Sequence, residues 1–278
     1  MDASEFKEPF ERLIASGPDW AAVVASGFLD ALVSEEAGGA GLTLADAGPL
    51  IQVLGYHACP LPVADTMVAR ALLAEAGIAA PEGPIVIASS VQPPPLADAA
   101  EHVLYDDAGG LKLAAPGASV TPTGGLRPIA AVVAATEIAG AAERLLEMSV
   151  GYANERVQFG KPIGKQQAIQ HNLAVMGEQV LTTRMASQIA WAGGLHPSLL
   201  KAAVAKQVTS AAVQTLASVA HAVHGAIGVT AEFALHHYVK VLYSRRMAHG
   251  SESYWARVLG EARLAEADLS SVDFVRAI

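Results

Sequence analysis

The sequence is poor in sulfur, aromatic rings and charge, and each shortage closes off a class of function. It holds one cysteine, Cys59, so no disulfide can form within the chain. That fits a reducing compartment, and a cytoplasmic protein is expected. Aromatic residues make up 5% of the chain, too few for a surface that stacks nucleic-acid bases. Charged residues make up 16% and the net charge is −9, which argues against general nucleic-acid binding. A local basic patch for a phosphorylated small molecule is still compatible with that balance. The opening stretch MDASEFKEPFERL is mixed in charge and amphipathic, unlike a secretory signal. The longest Ala/Val-rich runs are broken by polar residues, so no membrane span is expected. His221 and His224 share a helical face, but no Cys or carboxylate stands at ligand spacing beside them, so no metal site is expected.

What is present is alanine and helical periodicity. With 278 residues, 52% of them apolar, the chain has material for one large domain or two modest ones. Phe6, Phe10, Leu13 and Ile14 recur at helical spacing over residues 5–16, and Gly17-Pro18 ends that run. Trp20 to Leu32, Thr43 to Tyr56 and Ala64 to Ala76 read as further helices, giving an N-terminal helical unit over 1–78. Between two of them lies Glu35-Glu36-Ala37-Gly38-Gly39-Ala40-Gly41. Without a following Lys-Ser/Thr it is no phosphate-cradling P-loop.

Composition shifts at Gly77. Eight prolines fall between Pro81 and Pro128. Pro84–Ser89, His102–Tyr105 and Leu111–Leu113 are strand candidates, the last two joined by an Asp-Gly turn. An abbreviated β unit, built as a meander, is expected over 79–128. From 129 to 278 the pattern is helical: Ala130–Arg156, Gly164–Ala192, Pro197–His224 and Thr230 to about Met247, with Thr230 as cap of the last. Short connections between long helices predict an antiparallel four-helix bundle, with Gly140 allowing a close helix contact. The predicted fold class is therefore mainly α, with a small β insert.

One stretch is more specific than a helix corner requires: Asn154 to His171, NERVQFGKPIGKQQAIQH. Arg156 offers a planar, permanently charged fork suited to phosphate oxygens, and Gly160 and Pro162 permit a tight turn beside it. In isolation such an Arg is a solvated charge. In this context the chain resembles the acyl-CoA dehydrogenases. The Glu-Glu-x-Gly-Gly-x-Gly loop at Glu35–Gly41, Arg156-Val157-Gln158-Phe159-Gly160-Lys161-Pro162 and His224-Gly225-Ala226-Ile227-Gly228-Val229-Thr230-Ala231-Glu232 follow that family's signatures in order.

The resemblance implies a helical domain, a β domain and a four-helix bundle. It also implies FAD, an acyl-CoA thioester substrate, α,β-desaturation, and an electron-transfer flavoprotein as acceptor. Carried over by position, Arg156 would meet the FAD pyrophosphate, usually of a neighbouring subunit. Gln158, Phe159 and Gln167 would line the same cofactor, and the loop from His224 through Gly225 to Gly228 would present backbone to it.

The sequence departs from the family pattern where the catalytic base belongs. One family position for the base falls on His249 and another near Ala130, and neither is a carboxylate. His249 is the candidate base by position, against a plain role as a polar residue at a helix C-terminus. Glu137, Glu143 and Glu252 read as salt-bridging or surface charges. Lys240, Arg245 and Arg246 form a late basic patch that suits either phosphate or solvent. Ala222 replaces a Gln that meets FAD in the family, Ala226 replaces a Gly, and the family's flavin-contacting Trp stretch has no counterpart. The resemblance implies an oligomer, homomeric or heteromeric, and these departures suggest a heteromer in which an acyl-CoA dehydrogenase-like partner supplies the base. The alternatives are a non-catalytic structural or binding subunit and a self-sufficient homomeric enzyme using His249.

Overall fold

The computed structural model describes residues 4–266 and 268–278. Four helices open the chain: α1 (Ser4–Ala15), α2 (Trp20–Ala25), α3 (Leu44–Tyr56) and α4 (Val63–Glu75). Asp19 caps α2 by accepting the Ala22 N–H. Helix α2 is shorter than its apolar run because Gly27 takes φ +76° and a 3-10 turn, Phe28–Asp30, follows. Thr43 caps α3 in a reciprocal box with Asp46, a pairing that satisfies two otherwise free N–H donors. The Gly-rich segment folds back on itself: the N–H groups of Ala40, Gly41 and Leu42 donate to the carbonyls of Asp30, Val33 and Ala31. Gly39 has no room for a side chain against Val33.

The β unit differs from the expected meander. Strands β1 (Ile85–Ile87), β2 (His102–Asp107) and β3 (Gly110–Ala114) lie in sequence order in one sheet. The β2–β3 pair is antiparallel around the short Ala108-Gly109 turn, but β1 and β2 are parallel. A parallel neighbour must be reached by a crossover, and the proline-rich stretch 88–101 makes it. The Ile85 N–H donates to Thr66 Oγ1 (2.9 Å) and the Ile87 N–H to Asp65 Oδ2 (3.2 Å). Side chains of α4 thus seal an edge that would otherwise be open.

The remaining helices are α5 (Arg127–Glu155), α6 (Gln167–Trp191), α7 (Leu199–His224) and α8 (Leu235–Met247), followed by α9 (Glu252–Ala265) and α10 (Ser271–Ala277). Helices α5 to α8 pack as the four-helix bundle, and α9 lies along α7. Ser198 caps α7 through the Lys201 N–H. Helix α8 begins at Leu235 rather than Thr230. The Thr230 hydroxyl donates to the Ile227 carbonyl (2.9 Å) and closes a 3-10 turn, Gly225–Val229, instead of capping a helix. Helix α7 with that turn is long and apolar enough to cross a membrane by length and composition. In this fold it is a core helix, packed on α5, α6, α8 and α9, with Lys206, Thr209 and Ser210 buried inside.

One core runs from Phe10 and Leu29 through Leu50, Leu73 and Ile85 to Val133, Trp191 and Ala205. A second, around Ile138, Leu145, Met176, Val213 and Leu242, fills the other half of the bundle. Helices α3 and α5 approach closely because each offers a glycine. A Cβ on Gly140 would stand 1.9 Å from the Gln52 carbonyl oxygen, and one on Gly55 2.0 Å from that of Glu137. Backbone cannot step aside as a flexible side chain can. Gly140→Ala should therefore destabilise the chain by roughly 1–3 kcal/mol or more, the range for overpacking, as a lower midpoint in urea unfolding with an unchanged slope.

Candidate functional site

The Arg156 stretch builds one wall of a cleft at the far end of the bundle. Helix α5 stops at Glu155, where Arg156 turns to extended backbone and its N–H donates to the Tyr152 carbonyl (2.9 Å). Strands β4 (Val157–Gln158) and β5 (Lys161–Pro162) then pair as a small hairpin. Its two turn residues, Phe159 (φ +52°) and Gly160 (φ +76°), are both left-handed. Glycine accepts that conformation freely, whereas phenylalanine is strained by about 1–2 kcal/mol. Phe159 stands out at the tip, 92% exposed.

The opposite wall is the end of α7. Gly225 caps the helix with φ +63°, and the chain doubles back through the 3-10 turn. Gly228 is needed at the closest approach, since a Cβ there would meet His224 Cβ at 2.9 Å and Leu235 at 3.0 Å. His224 is 3% exposed. Its ring stacks on Tyr152 at 4.6 Å between centroids and leans on Phe233 at 4.9 Å. Its Nδ1 bonds the Ala220 carbonyl at 2.8 Å. A carbonyl only accepts, so Nδ1 carries the proton and Nε2 is a bare acceptor. That Nε2 has no partner, and neither has the buried Nδ1 of His221 one turn earlier. Burial lowers the basicity of His224 and keeps the ring neutral.

Between these walls lies a cleft of about 510 Å³ lined by Tyr152, Arg156, Gln158, Ile163, Gln166, Ile169 and residues 222–227. The structure thus brings together Arg156, Gln158, His224 and Gly225 from distant parts of the sequence. It leaves Phe159 at the rim and Gly228 beneath the turn. The glutamine that lines the cleft is Gln166 rather than Gln167, which is exposed as the first residue of α6. The short 3-10 turn Ile163–Lys165 sets that register. Sequence reasoning missed Tyr152, although it stands one helical turn before Arg156. Among the described residues Arg156 makes no ion pair, so its charge is free for a ligand. The chemistry of the cleft — a free guanidinium, a glutamine amide, an unpartnered imidazole nitrogen and small residues at the turn — fits the phosphate and sugar portion of a dinucleotide.

The candidate base positions meet elsewhere. Ala130 and His249 both border one small void, together with Asp65, Pro95, Val133, Ala134, Glu137 and Arg245. The void measures about 10 Å³, about the least that holds one water. An ion pair forms part of its wall. Arg245 donates through Nε and Nη2 to both oxygens of Glu137, and the two side chains are 7% and 9% exposed. Arg245 is therefore no part of a solvated patch: burial beside Glu137 claims it. Arg246 pairs with Glu252, and Lys240 alone of the three is exposed.

His249 sits in a left-handed turn (φ +57°), hydrogen-bonded through Nδ1 to Ser89 Oγ at 2.9 Å. Lys206 holds that turn by donating to the carbonyls of Arg246 (2.8 Å) and Gly250 (3.0 Å) and to Ser210 Oγ (2.8 Å). Burial, and then the charges of Lys206, Arg245 and Arg127, push the His249 pKa down to about 3. An imidazole so reluctant to take a proton is poorly suited to remove one from carbon. The junction lies near the start of α5 and the cleft at its end. Some twenty residues of helix put them about 30 Å apart.

A family model described as "Acyl-CoA dehydrogenase, C-terminal domain" matches residues 127–264. The acyl-CoA dehydrogenase IpdE2 of Mycobacterium tuberculosis is 34% identical over 252 residues, 79% of this chain and 76% of that protein. The chain belongs to the acyl-CoA dehydrogenase family. Solved structures share its fold at lower identity. The ChsE4-ChsE5 complex from Mycobacterium tuberculosis matches at TM-score 0.81 and 18% identity, over 95% of this chain and 97% of the matched one. The steroid ACAD Tcur3481-Tcur3483 matches at 0.80 and 20%, over 96% and 100%. Within this fold, the cleft gathers residues of the Arg156 and His224 motifs, and Ala130 and His249 border the small void near the start of α5.

The setting of His249 has a consequence for stability. Its folded pKa lies below the unfolded value of about 6.5, so between the two the unfolded chain binds the extra proton. The contribution of His249 to stability is full above about pH 6.5 and is lost as pH falls towards 3. His249→Asn, which tolerates the left-handed turn and does not titrate, should flatten that acid limb in unfolding midpoints measured from pH 7 to pH 4.

Proposed function

We propose that this acyl-CoA dehydrogenase acts as one subunit of an FAD-dependent heteromer that desaturates an acyl-CoA thioester. In this reading its Arg156–His224 cleft completes the cofactor site of a longer, acyl-CoA dehydrogenase-like partner. The observation that carries the reading is the junction. Ala130 and His249, the positions that the resemblance assigns to the base, face a void of about 10 Å³ walled in part by the Glu137–Arg245 pair, while the cleft is open and offers an Arg156 with no ion pair among the described residues. The likeness to the ChsE4-ChsE5 complex supports an assembly of two kinds of chain. The exposed apolar side chains of Val157, Phe159 and Val229 around the cleft suit a rim that another chain covers.

In such a complex the flavin would accept the β-hydrogen as hydride. This chain's own part is binding. Arg156 neutralises phosphate charge through a two-pronged donor. Gln158 and Gln166 offer amide hydrogen bonds. Gly225 and Ala226 let backbone approach without side chains intervening. The partner, not this chain, removes the α proton, and the electrons pass onward to an acceptor such as an electron-transfer flavoprotein.

A second reading, a non-catalytic binding subunit that keeps the fold without touching flavin, is favoured by the same tightly packed junction. Colour separates the two. Purified alone, the chain should be colourless; co-purified with its longer partner, it should be yellow, with one FAD per pair of chains. Arg156→Ala should weaken FAD retention by about tenfold to a hundredfold, the worth of a lost charge-assisted hydrogen bond, while the complex stays assembled. His249→Asn should leave turnover unchanged. A chain that is yellow by itself and bleaches with acyl-CoA would overturn the heteromer. An FAD-loaded complex indifferent to Arg156→Ala would favour the pure scaffold.

A further inference from the structure

The three-stranded sheet has two edges, and only one is covered. Thr66 and Asp65 of α4 seal the β1 edge; β3 forms the other. The bonding of β2 decides which groups β3 leaves free. Neighbouring residues of a strand send their backbone N–H and C=O groups to opposite sides. In β2, the His102 N–H donates to the Pro84 carbonyl, and the carbonyls of Leu104 and Asp106 accept from the N–H groups of Ala88 and Thr123. These three residues thus bond away from β3, while Val103, Tyr105 and Asp107 face it, opposite Ala114, Lys112 and Gly110. Leu111 and Leu113 therefore aim their backbone groups at the open edge. No hydrogen bond meets them there among the described residues.

A largely apolar groove lies beside that edge. It measures about 400 Å³ and is lined by Leu111 with Leu72, Leu126, Ile129, Leu195 and Pro197. The side chains of Leu111 and Leu113 pack on the large core, on the groove side of the sheet. Lys112, between them, stands on the opposite face, exposed and in no ion pair among the described residues. We propose that β3 receives, as a fourth strand, an extended segment of a different protein chain in which apolar residues alternate with acidic ones. The backbone groups of Leu111 and Leu113 would form the ladder, apolar side chains on one face would enter the groove, and carboxylates on the other would meet Lys112. This is strand addition, in which main-chain bonds give affinity and alternate side chains give specificity. A second copy of β3 fits poorly. Antiparallel pairing through both leucines sets two copies of Lys112 directly opposite, and like charges so placed repel. The same lysine therefore guards the edge against other copies of this chain and selects an acidic strand. The edge lies by the start of α5, away from the Arg156 cleft, so the contact does not depend on flavin.

Amide hydrogen exchange of the full chain, read residue by residue, tests the ladder directly. In the free chain the N–H groups of Leu111 and Leu113 should exchange fast and that of Lys112 slowly. A short peptide alternating valine and glutamate should slow Leu111 and Leu113 and leave Lys112 as it was. A peptide alternating valine and lysine should bind about tenfold more weakly, the effect of one misplaced charge. Lys112→Glu, at an exposed position, should reverse that order of preference while the circular dichroism spectrum stays native. No protection of Leu111 and Leu113 at about millimolar glutamate peptide, or a preference that Lys112→Glu leaves unchanged, would overturn the proposal. Protection that grows with the concentration of the chain alone would assign the edge to a second copy and overturn it too. None of these readings involves flavin, so the cofactor proposal stands or falls separately.

Discussion

The buried pair Glu137–Arg245 is the constraint on which the rest of this structure turns. Two charges withdrawn from water incur a desolvation penalty that their mutual attraction offsets only with good geometry. Here the geometry is a two-pronged Arg fork on both carboxylate oxygens. Losing either partner would strand a buried charge, at about 3–5 kcal/mol. The pair ties α5 to the end of α8, and through the Lys206 hydrogen bonds it sits beside the turn that bears His249. It also depends on the close crossing of α3 and α5, where the Glu137 carbonyl lies over Gly55 and Gly140 follows one turn later. Small residues let the helices approach, and the approach seals the charges from water.

Helix α5 therefore has two ends of different character. Its first turns face a tightly packed junction with space for about one water. Its last turn delivers Tyr152 and Arg156 to an open cleft with unsatisfied polar atoms. The junction and the cleft lie about 30 Å apart on one helix, a separation that would let two chains share the work proposed above. What one chain fails to complete at one end can be completed by another, while its opposite end remains useful. The two regions are independent, in that no side chain lines both.

Much of the cleft was legible in the sequence because its chemistry is local. Arg156, Gln158 and the hairpin turn lie within a few residues of one another, and His224 and Gly225 are adjacent. Only the meeting of the two segments needed the fold, and the bundle supplies it wherever α5 and α7 end together. The junction was legible only in part: Glu137 read as salt-bridging, but its partner did not stand out. Glu137 and Arg245 are separated by 108 residues, and nothing local distinguishes Arg245 from its exposed neighbour Lys240. Gln166 took the place expected for Gln167 because a 3-10 turn advances the chain by a different angle than an α-helical one. The parallel β1–β2 pair was hidden because strand signals carry no direction. The start of α8 moved because a threonine hydroxyl can satisfy a carbonyl behind it as readily as an N–H ahead.

Asp65 tests how far a perturbed group can be read as a catalytic one. Its carboxyl is ringed by protein, and burial, reinforced by the charge of Glu137, pushes its pKa up to about 7. A carboxyl tuned towards neutrality beside a histidine and an arginine is the usual mark of an active site. Two observations weigh against that meaning. Its Oδ2 already accepts the Ile87 N–H that seals the sheet edge, and the void beside it has space for about one water. A base needs room for the carbon acid it deprotonates, and none is present. The same shift is what desolvation alone produces when a structural carboxylate is drawn into a closing core. In this chain the shifts of Asp65 and His249 follow from burial in the junction, and neither needs a catalytic role to account for it.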